Sequence, residues 1–273
     1  MSIKVIKHTK PDLKIPKFNV DGKLKKKLDN FELTKCLNKS HFTLFLGKAG
    51  SGKTSLAVSL LSARTLFRNV FHEIFLFCPE NSRNSIQNNF WDDNLEREQL
   101  YDELSVESLR EVYTKCQANA DIDCKSLIII DDNQKFLKDP SVYRMLLHIV
   151  NNRRHAMTSV WLLAQNYFSI PKQVRDSLTN AFIMKVNKSE FIKIFNELID
   201  QNKESFDHII ESIAYKKPHD FIFVDINTSR IFNNWDEIRI EPSLDLHQMK
   251  YDALLELDQR STSGSSSSSS ENS

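Results

Sequence analysis

Glycine is scarce in this chain. Only five of its 273 residues are glycine, and three of them, Gly47, Gly50 and Gly52, lie close together. Glycine loses more conformational entropy on folding than any other residue, so a chain with little of it is expected to place it where no other residue fits. The cluster therefore predicts a tightly curled backbone between residues 47 and 52.

Long apolar runs, paired cysteines and an excess of one charge are also missing. No stretch reaches the ~18 consecutive apolar residues that span a bilayer, and the first residues lack the apolar core of a signal peptide, so we expect a soluble protein with no membrane-spanning segment. The four cysteines form no CxxC pair, which indicates reduced thiols in a cytosolic-type compartment. The formal net charge is +1, so contact with nucleic acid would require a local basic patch.

The two ends of the chain differ in composition from its middle. Residues 1–30 are lysine-rich and are predicted to form a basic lead-in arm, which either contacts phosphates or an acidic partner or is a solvated extension. Residues 241–273 are predicted to form a C-terminal segment with a disordered, serine-rich tail. Residues 31–240 are predicted to form one domain, with its core at 41–187 and an addition of helices and strands at 188–240.

Apolar runs typical of buried strands alternate with segments of helical periodicity in this middle part. The predicted strands are His41–Leu46, Phe71–Cys78, Ser126–Ile130, Ser159–Ala164, Ala181–Val186 and Phe221–Ile226, the last paired with Arg230–Phe232. The predicted helices are Thr54–Phe67, Ser105–Ala118, Pro140–Asn151, Glu190–Asp200 and Phe206–Ala214. This alternation predicts an α/β fold with a central, mostly parallel sheet flanked by helices. Ligands of such sheets bind at the carboxyl ends of the strands.

The glycine cluster belongs to a phosphate-binding motif. Residues 47–54 fit GxxxxGK[ST] at every fixed position and follow a predicted strand. In such a P-loop the backbone amides and the helix N-terminus surround the phosphates. Lys53 would reach the β and γ phosphates as a catalytic residue, and Thr54 would offer its hydroxyl to Mg²⁺. The residues predicted to bind ATP are Gly47, Lys48, Ala49, Gly50, Ser51, Gly52, Lys53, Thr54 and Ser55.

Two adjacent carboxylates end another buried strand. Residues 127–130 are Leu-Ile-Ile-Ile, and Asp131 and Asp132 follow them directly. Asp131 is predicted to hold Mg²⁺, and Asp132 is predicted to accept a proton from the attacking water or to orient that water. A carboxylate in this second position indicates a P-loop enzyme with its own catalytic base.

A segment after a later predicted strand resembles a guanine-reading motif. Asn187-Lys188-Ser189-Glu190 nearly matches NKxD, but it ends in glutamate, which is one methylene longer than aspartate. Asp131 is also not followed by the glycine of a GTPase switch. A turn that leads into a helix is therefore the preferred interpretation of these four residues.

One amide and three arginines complete the predicted catalytic set. Gln165 follows the predicted strand 159–164. It would sense the γ-phosphate or the attacking water if that strand lies between the P-loop strand and the Asp131 strand. Arg153 and Arg154 precede this strand and Arg175 follows it. One of the three would act as an arginine finger that reaches the γ-phosphate of a neighbouring subunit.

The order of these motifs resembles that of a known family. The P-loop and Asp131-Asp132 are followed by Arg154-His155, then Gln165-Asn166, and further on by Pro171, Arg175 and Asn180-Ala181. This order is similar to that of the genome-packaging ATPases of nucleocytoplasmic large DNA viruses and their virophages, in the FtsK–HerA group of P-loop ATPases. The resemblance covers residues 40–187.

The resemblance implies more than the residues themselves indicate. It implies a P-loop NTPase of the additional-strand catalytic-glutamate type that uses ATP and Mg²⁺. It also implies a homo-oligomeric ring, hexameric or pentameric, that moves double-stranded DNA into a preformed capsid beside viral capsid vertex proteins. The location implied is the host cytoplasm (the virus factory), and the virion as well.

Two alternatives stay open at this point. A nucleotide-dependent capsid assembly factor without motor activity would bind ATP without repeated turnover. A small-molecule kinase or a GTPase of the P-loop class would use the same phosphate-binding motif.

Overall fold

The computed structural model describes residues 2–8, 32–37, 40–84, 90–199 and 213–241. The chain divides into a large unit of residues 5–238 and a small unit of residues 1–4 and 239–273. The predicted helix Phe206–Ala214 up to residue 212, the serine-rich tail and most of the lead-in arm lie outside the described residues. None of the helices within the described ranges combines the length and apolar character that crossing a membrane demands.

The described elements alternate between strands and helices. The strands are β1 Ser2–Ile6, β2 Phe42–Leu46, β3 Glu73–Phe77, β4 Leu100–Tyr101, β5 Ser126–Asp131, β6 Thr158–Ala164, β7 Asn180–Met184, β8 Phe221–Asp225, β9 Arg230–Asn233 and β10 Asp236–Glu241. The helices are α1 Glu32–Cys36, α2 Lys53–Ser62, α3 Glu80–Asn84, α4 Phe90–Asn94, α5 Val106–Asp121, α6 Pro140–Asn152, α7 Lys172–Arg175 and α8 Lys188–Leu198. Short 3₁₀ helices cover Arg97–Gln99, Gln134–Lys138 and Tyr167–Ser169.

The large unit is built on one sheet with strand order β10-β9-β8-β7-β2-β6-β5-β3-β4. The pairs from β7 to β4 are all parallel. Strand β6 lies between β2 and β5, and its register places Ala164 beside Leu46 and Leu163 beside Asp131. The predicted α/β fold with a mostly parallel sheet is therefore confirmed, and so is the insertion of the Gln165 strand between the two motif strands.

Strands β2, β5, β6 and β7 are buried along their whole length, as expected for strands covered on both faces. Aromatic side chains fill one side of the sheet across four strands. The ring centroids of Phe45 and Trp161 are 5.2 Å apart, those of Phe45 and Phe182 are 4.8 Å apart, and those of Phe182 and Phe223 are 4.7 Å apart. This cluster packs along β6, β2, β7 and β8, the strands whose ends carry the P-loop and its neighbours.

Beyond β7 the sheet continues with antiparallel strands. Strands β8, β9 and β10 pair in succession, with Val224 opposite Ile231 and Phe232 opposite Glu237. The predicted pairing of the strand at residues 221–226 with Arg230–Phe232 is confirmed. Strand β10 was not predicted; its sequence Asp-Glu-Ile-Arg-Ile-Glu contains only two apolar residues.

The starts of two predicted helices are explained by their N-terminal caps. Ser105 accepts a hydrogen bond from the Ser108 amide, and the Ser108 hydroxyl accepts one from the Ser105 amide, so the pair closes the start of α5. Asp139 accepts a hydrogen bond from the Ser141 amide at the start of α6, where Pro140 occupies the first turn. Both starts agree with the sequence.

Residues 81–104 could not be assigned from sequence, and the structure shows why. Its described parts, residues 81–84 and 90–104, form short elements that are held by single buried side chains instead of a periodic face. Trp91 is fully buried, and Arg83 donates to the Cys78 carbonyl at 2.6 Å and to Asp102 at 2.8 Å.

Candidate nucleotide site at the carboxyl edge of the sheet

The P-loop connects β2 to α2 at the carboxyl edge of the sheet. Its first amide, at Gly47, donates to the Ala164 carbonyl at 3.1 Å, which ties the loop to the end of β6. The Lys53 ammonium donates to the carbonyls of Gly47 at 2.8 Å and Lys48 at 3.1 Å. Lys53 therefore folds back under the loop that it follows, as a phosphate-binding lysine does.

Glycine is required at positions 47, 50 and 52 of the P-loop for two different structural reasons. Gly50 and Gly52 have φ angles of +72° and +99°, in the left-handed region that side chains rarely adopt. Gly47 has a φ outside that region, but a Cβ atom there would lie 2.7 Å from the Cβ of Met184 on β7. The predicted tight curl at residues 47–52 is present, and β7 packs directly against its start.

The two residues predicted to bind metal are in contact. Thr54 Oγ1 donates to Asp131 Oδ2 at 2.7 Å. A hydroxyl and a carboxylate are the hard oxygen ligands that Mg²⁺ prefers, and this ion commonly takes its remaining ligands from water and phosphates. Within the described ranges no cluster of three or more His, Cys, Asp or Glu could hold a metal alone. The donor set therefore fits Mg²⁺ that is brought in with a nucleotide.

Burial perturbs the charged groups of this site. Burial and the neighbouring Asp132 raise the pKa of Asp131 to about 6, against the opposing effects of the Thr54 hydrogen bond and the Lys53 charge. Burial also lowers the pKa of Lys53, while Asp131 and Asp132 act in the opposite direction. Such mutual perturbation is common at functional sites, where charges are held without full hydration.

Asp132 and Gln165 meet at the same edge. The Gln165 side-chain amide donates to Asp132 Oδ1 at 3.2 Å, and both side chains are exposed. The Gln165 backbone amide donates to Gln134 Oε1 at 3.0 Å, so the loops after β5 and β6 are joined. Asp132 has a φ of +51°, a conformation that is uncommon for aspartate and often found at functional positions. The predicted base and the predicted sensor are thus brought together.

Two of the three candidate arginines lie far from this edge. Arg153 and Arg154 precede β6, whose first residues lie beside the first residues of β2, so both belong to the amino edge of the sheet. Arg153 donates to the carbonyls of Ser40 and Val150 and closes the end of α6. Arg154 is exposed, and its side chain makes no hydrogen bond or ion pair with the described residues. Of these two, only Arg154 is available to a neighbouring subunit.

Arg175 is engaged within its own chain. Its guanidinium forms a two-point ion pair with Glu197 of α8, at 2.7 Å and 3.3 Å. It also donates to the Ile170 carbonyl at 2.6 Å and lies 5.0 Å from the centre of the Tyr167 ring. These contacts favour a structural role in which Arg175 joins α7 to α8.

Two side chains next to the P-loop had no predicted part in binding. His219, just before β8, places its Nδ1 atom 3.0 Å from the Ser51 carbonyl. Asn187, just after β7, accepts a hydrogen bond from the Lys48 ammonium at 3.3 Å. Asn187 begins the near-match to a guanine motif and starts α8, as the preferred interpretation stated. No local pattern could have marked His219, because it reaches the P-loop only through the pairing of β8 with β7.

Comparison with known proteins gives a family match and several similar solved structures. The sequence profile of a family described as Poxvirus A32 protein matches residues 29–234. The fold is similar to B204, the DNA-packaging ATPase from Sulfolobus turreted icosahedral virus, with a TM-score of 0.53 and 17% identity over 74% of this chain and 98% of that chain. It is also similar to the genome packaging NTPase B204 from Sulfolobus turreted icosahedral virus 2 in complex with ATP-gammaS, with a TM-score of 0.52 and 14% identity over 72% of this chain and 97% of that chain. No curated protein sequence matches the chain significantly.

Proposed function

Because the chain belongs to the Poxvirus A32 protein family, we propose that it is a genome-packaging ATPase that hydrolyses ATP and moves double-stranded DNA into a preformed capsid. The observation that carries the proposal is the contact of Thr54 with Asp131 beside Lys53, with Asp132 and Gln165 bonded at the same edge. This arrangement supports hydrolysis because it supplies phosphate binding, metal binding and a base together.

The chemistry follows from the positions of these groups. The P-loop amides and Lys53 bind the β and γ phosphates. Thr54 and Asp131 would hold Mg²⁺, which would neutralise charge on the phosphate oxygens. Gln165 orients the attacking water, and Asp132 accepts its proton. The hydrogen bond between Gln165 and Asp132 holds both side chains ready before the substrate binds.

A ring would complete the site. Arg154 is exposed at the amino edge of the sheet and cannot reach the P-loop of its own chain, so it would serve the site of the next subunit as an arginine finger. Hydrolysis would then depend on assembly. The partners are double-stranded DNA, further copies of the chain and proteins at the capsid vertex, in the host cytoplasm.

The experiment is an ATPase assay with and without duplex DNA, at several salt concentrations. We expect DNA to raise the turnover of the assembled protein, and we expect the stimulation to weaken as salt rises, because phosphate contacts release counterions. Lys53→Ala should lose most binding and turnover. Turnover that duplex DNA leaves unchanged in an assembled ring would contradict the motor. Binding of ATP without repeated turnover would instead support a capsid assembly factor.

A further inference from the structure

The contact between His219 and the P-loop has no role in the chemistry described above. Its Nδ1 atom lies 3.0 Å from the Ser51 carbonyl, and its ring covers Gly52 so closely that a Cβ atom there would lie 2.9 Å from Nδ1. A carbonyl oxygen only accepts hydrogen bonds, so Nδ1 carries the proton. The other ring nitrogen, Nε2, is therefore an acceptor when the ring is neutral.

The backbone of the residues just before β8 adopts an unusual, left-handed conformation at two positions. Its φ is +64°, and Tyr215 in the same connection has a φ of +56°. Tyr215 donates from its hydroxyl to the Ile183 carbonyl of β7 at 3.1 Å, which fixes the connection against the sheet. The His219 side chain is nevertheless exposed, and among the described residues Nε2 has no hydrogen-bond partner.

The position of the γ-phosphate determines where the rest of the nucleotide lies. Asp131, Asp132 and Gln165 follow β5 and β6, on one flank of β2. These groups act on the terminal phosphate, so that end of the triphosphate faces β6 and β5. The nucleoside is at the other end of the molecule and leaves the P-loop on the opposite flank, which β7 and β8 form. His219 lies on this flank.

We infer that His219 contacts the nucleoside of the bound triphosphate, with Nε2 accepting a hydrogen bond from the adenine 6-amino group or the ribose 2′-hydroxyl. The inference rests on the proposed ATPase function and extends it from the phosphates to the nucleoside. The connection before β8 thus forms one wall of the nucleoside subsite. The bond of Nδ1 to Ser51 sets the orientation of the ring and leaves Nε2 as an acceptor.

Calorimetric titration of the full chain tests this inference. The two ligands are ATP and inorganic tripolyphosphate, each with Mg²⁺. His219→Ala should weaken ATP binding about three- to tenfold, the effect of losing one hydrogen bond, and should leave tripolyphosphate binding unchanged. His219→Phe keeps an aromatic ring but no acceptor, so it should show the same loss. His72→Ala is the matched control, since His72 is exposed at the amino edge of the sheet, just before β3.

Two analogues identify the donor. If Nε2 binds the base, the effect of His219→Ala should vanish with purine riboside triphosphate, which lacks the 6-amino group. If it binds the sugar, the effect should vanish with 2′-deoxyATP. An equal loss for ATP and tripolyphosphate would overturn the inference and make His219 a support of the P-loop alone. Unchanged ATP binding, or an effect that persists with both analogues, would also overturn it. Absence of DNA-stimulated turnover would refute the proposed motor while leaving these binding results intact.

Discussion

Replacement of Asp131 by asparagine is expected to stabilise the metal-free protein while abolishing Mg²⁺-dependent turnover. Asp131 is only 4% exposed, and burial is the main cause that raises its pKa from 3.8 to about 6. A carboxyl whose pKa is higher in the folded state favours folding when protonated and opposes it when ionised. The stability of the wild-type protein therefore falls as pH rises from about 4 to about 6, and the full cost remains above that window.

The size of the effect follows from the same values. A rise from 3.8 to about 6 corresponds to an upper limit of about 3 kcal/mol for ionisation in the folded state. Asparagine removes this cost and keeps an oxygen that can accept the Thr54 hydroxyl, which now bonds at 2.7 Å. We therefore expect a gain of about 1–3 kcal/mol, or a rise in Tm of about 3–10 °C for a domain of this size.

Thermal unfolding in EDTA between pH 4.5 and 8 is the assay. The difference in Tm between Asp131→Asn and wild type should be largest at pH 8 and should shrink as pH falls below about 6. With Mg²⁺ and ATP present, the wild type should gain stability and the variant should gain little. Asp93→Asn, which neutralises an exposed carboxylate, serves as the control. A variant that melts at or below the wild-type temperature at pH 8 would refute the argument from burial.

Three further changes separate chemistry from structure. Asp132→Asn should bind ATP as the wild type does but hydrolyse it at least ~100-fold more slowly, measured by titration and phosphate release; normal turnover would exclude it as the base. Arg154→Ala should keep its Tm, and in rings mixed with wild-type subunits it should lower turnover by more than its fraction of the subunits. Arg175→Ala should instead lose ~1–3 kcal/mol of stability, because its partly exposed ion pair with Glu197 and its charged hydrogen bond to the Ile170 carbonyl are lost, and the reverse pattern would exchange their roles. Gly47→Ala should lower both Tm and ATP affinity, because its Cβ would lie 2.7 Å from that of Met184; an unchanged Tm would contradict this packing.

The parts of the site that could be predicted are those whose chemistry is local in sequence. The P-loop and the Asp131-Asp132 pair each follow an apolar run typical of a buried strand. One stretch of sequence therefore predicts both the strand and the phosphate- or metal-binding residues at its end. The resemblance to viral packaging ATPases, which depended on these motifs, is confirmed by the family match. The role of Gln165 stays a prediction, although the position of its strand between the other two is confirmed.

The order of residues in the sequence does not show which of the three arginines could act as an arginine finger. Arg153, Arg154 and Arg175 were equal candidates, because each lies near the Gln165 strand in the sequence. Only three-dimensional packing separates them, since Arg153 is bonded to backbone carbonyls and Arg175 to Glu197. Long-range partners such as Glu197, 22 residues after Arg175, leave no local pattern.

The antiparallel extension reaches the nucleotide site through the register of the sheet. Strand β7 pairs with β2 on one side and with β8 on the other, where Met184 lies opposite Phe221. Because Met184 also packs at Gly47, the start of β8 is held close to the P-loop, and His219 two residues earlier can contact it. The pairing of β7 with β8 therefore places His219 against the P-loop. A change that weakened this pairing should alter nucleotide affinity even though it touches no phosphate-binding residue.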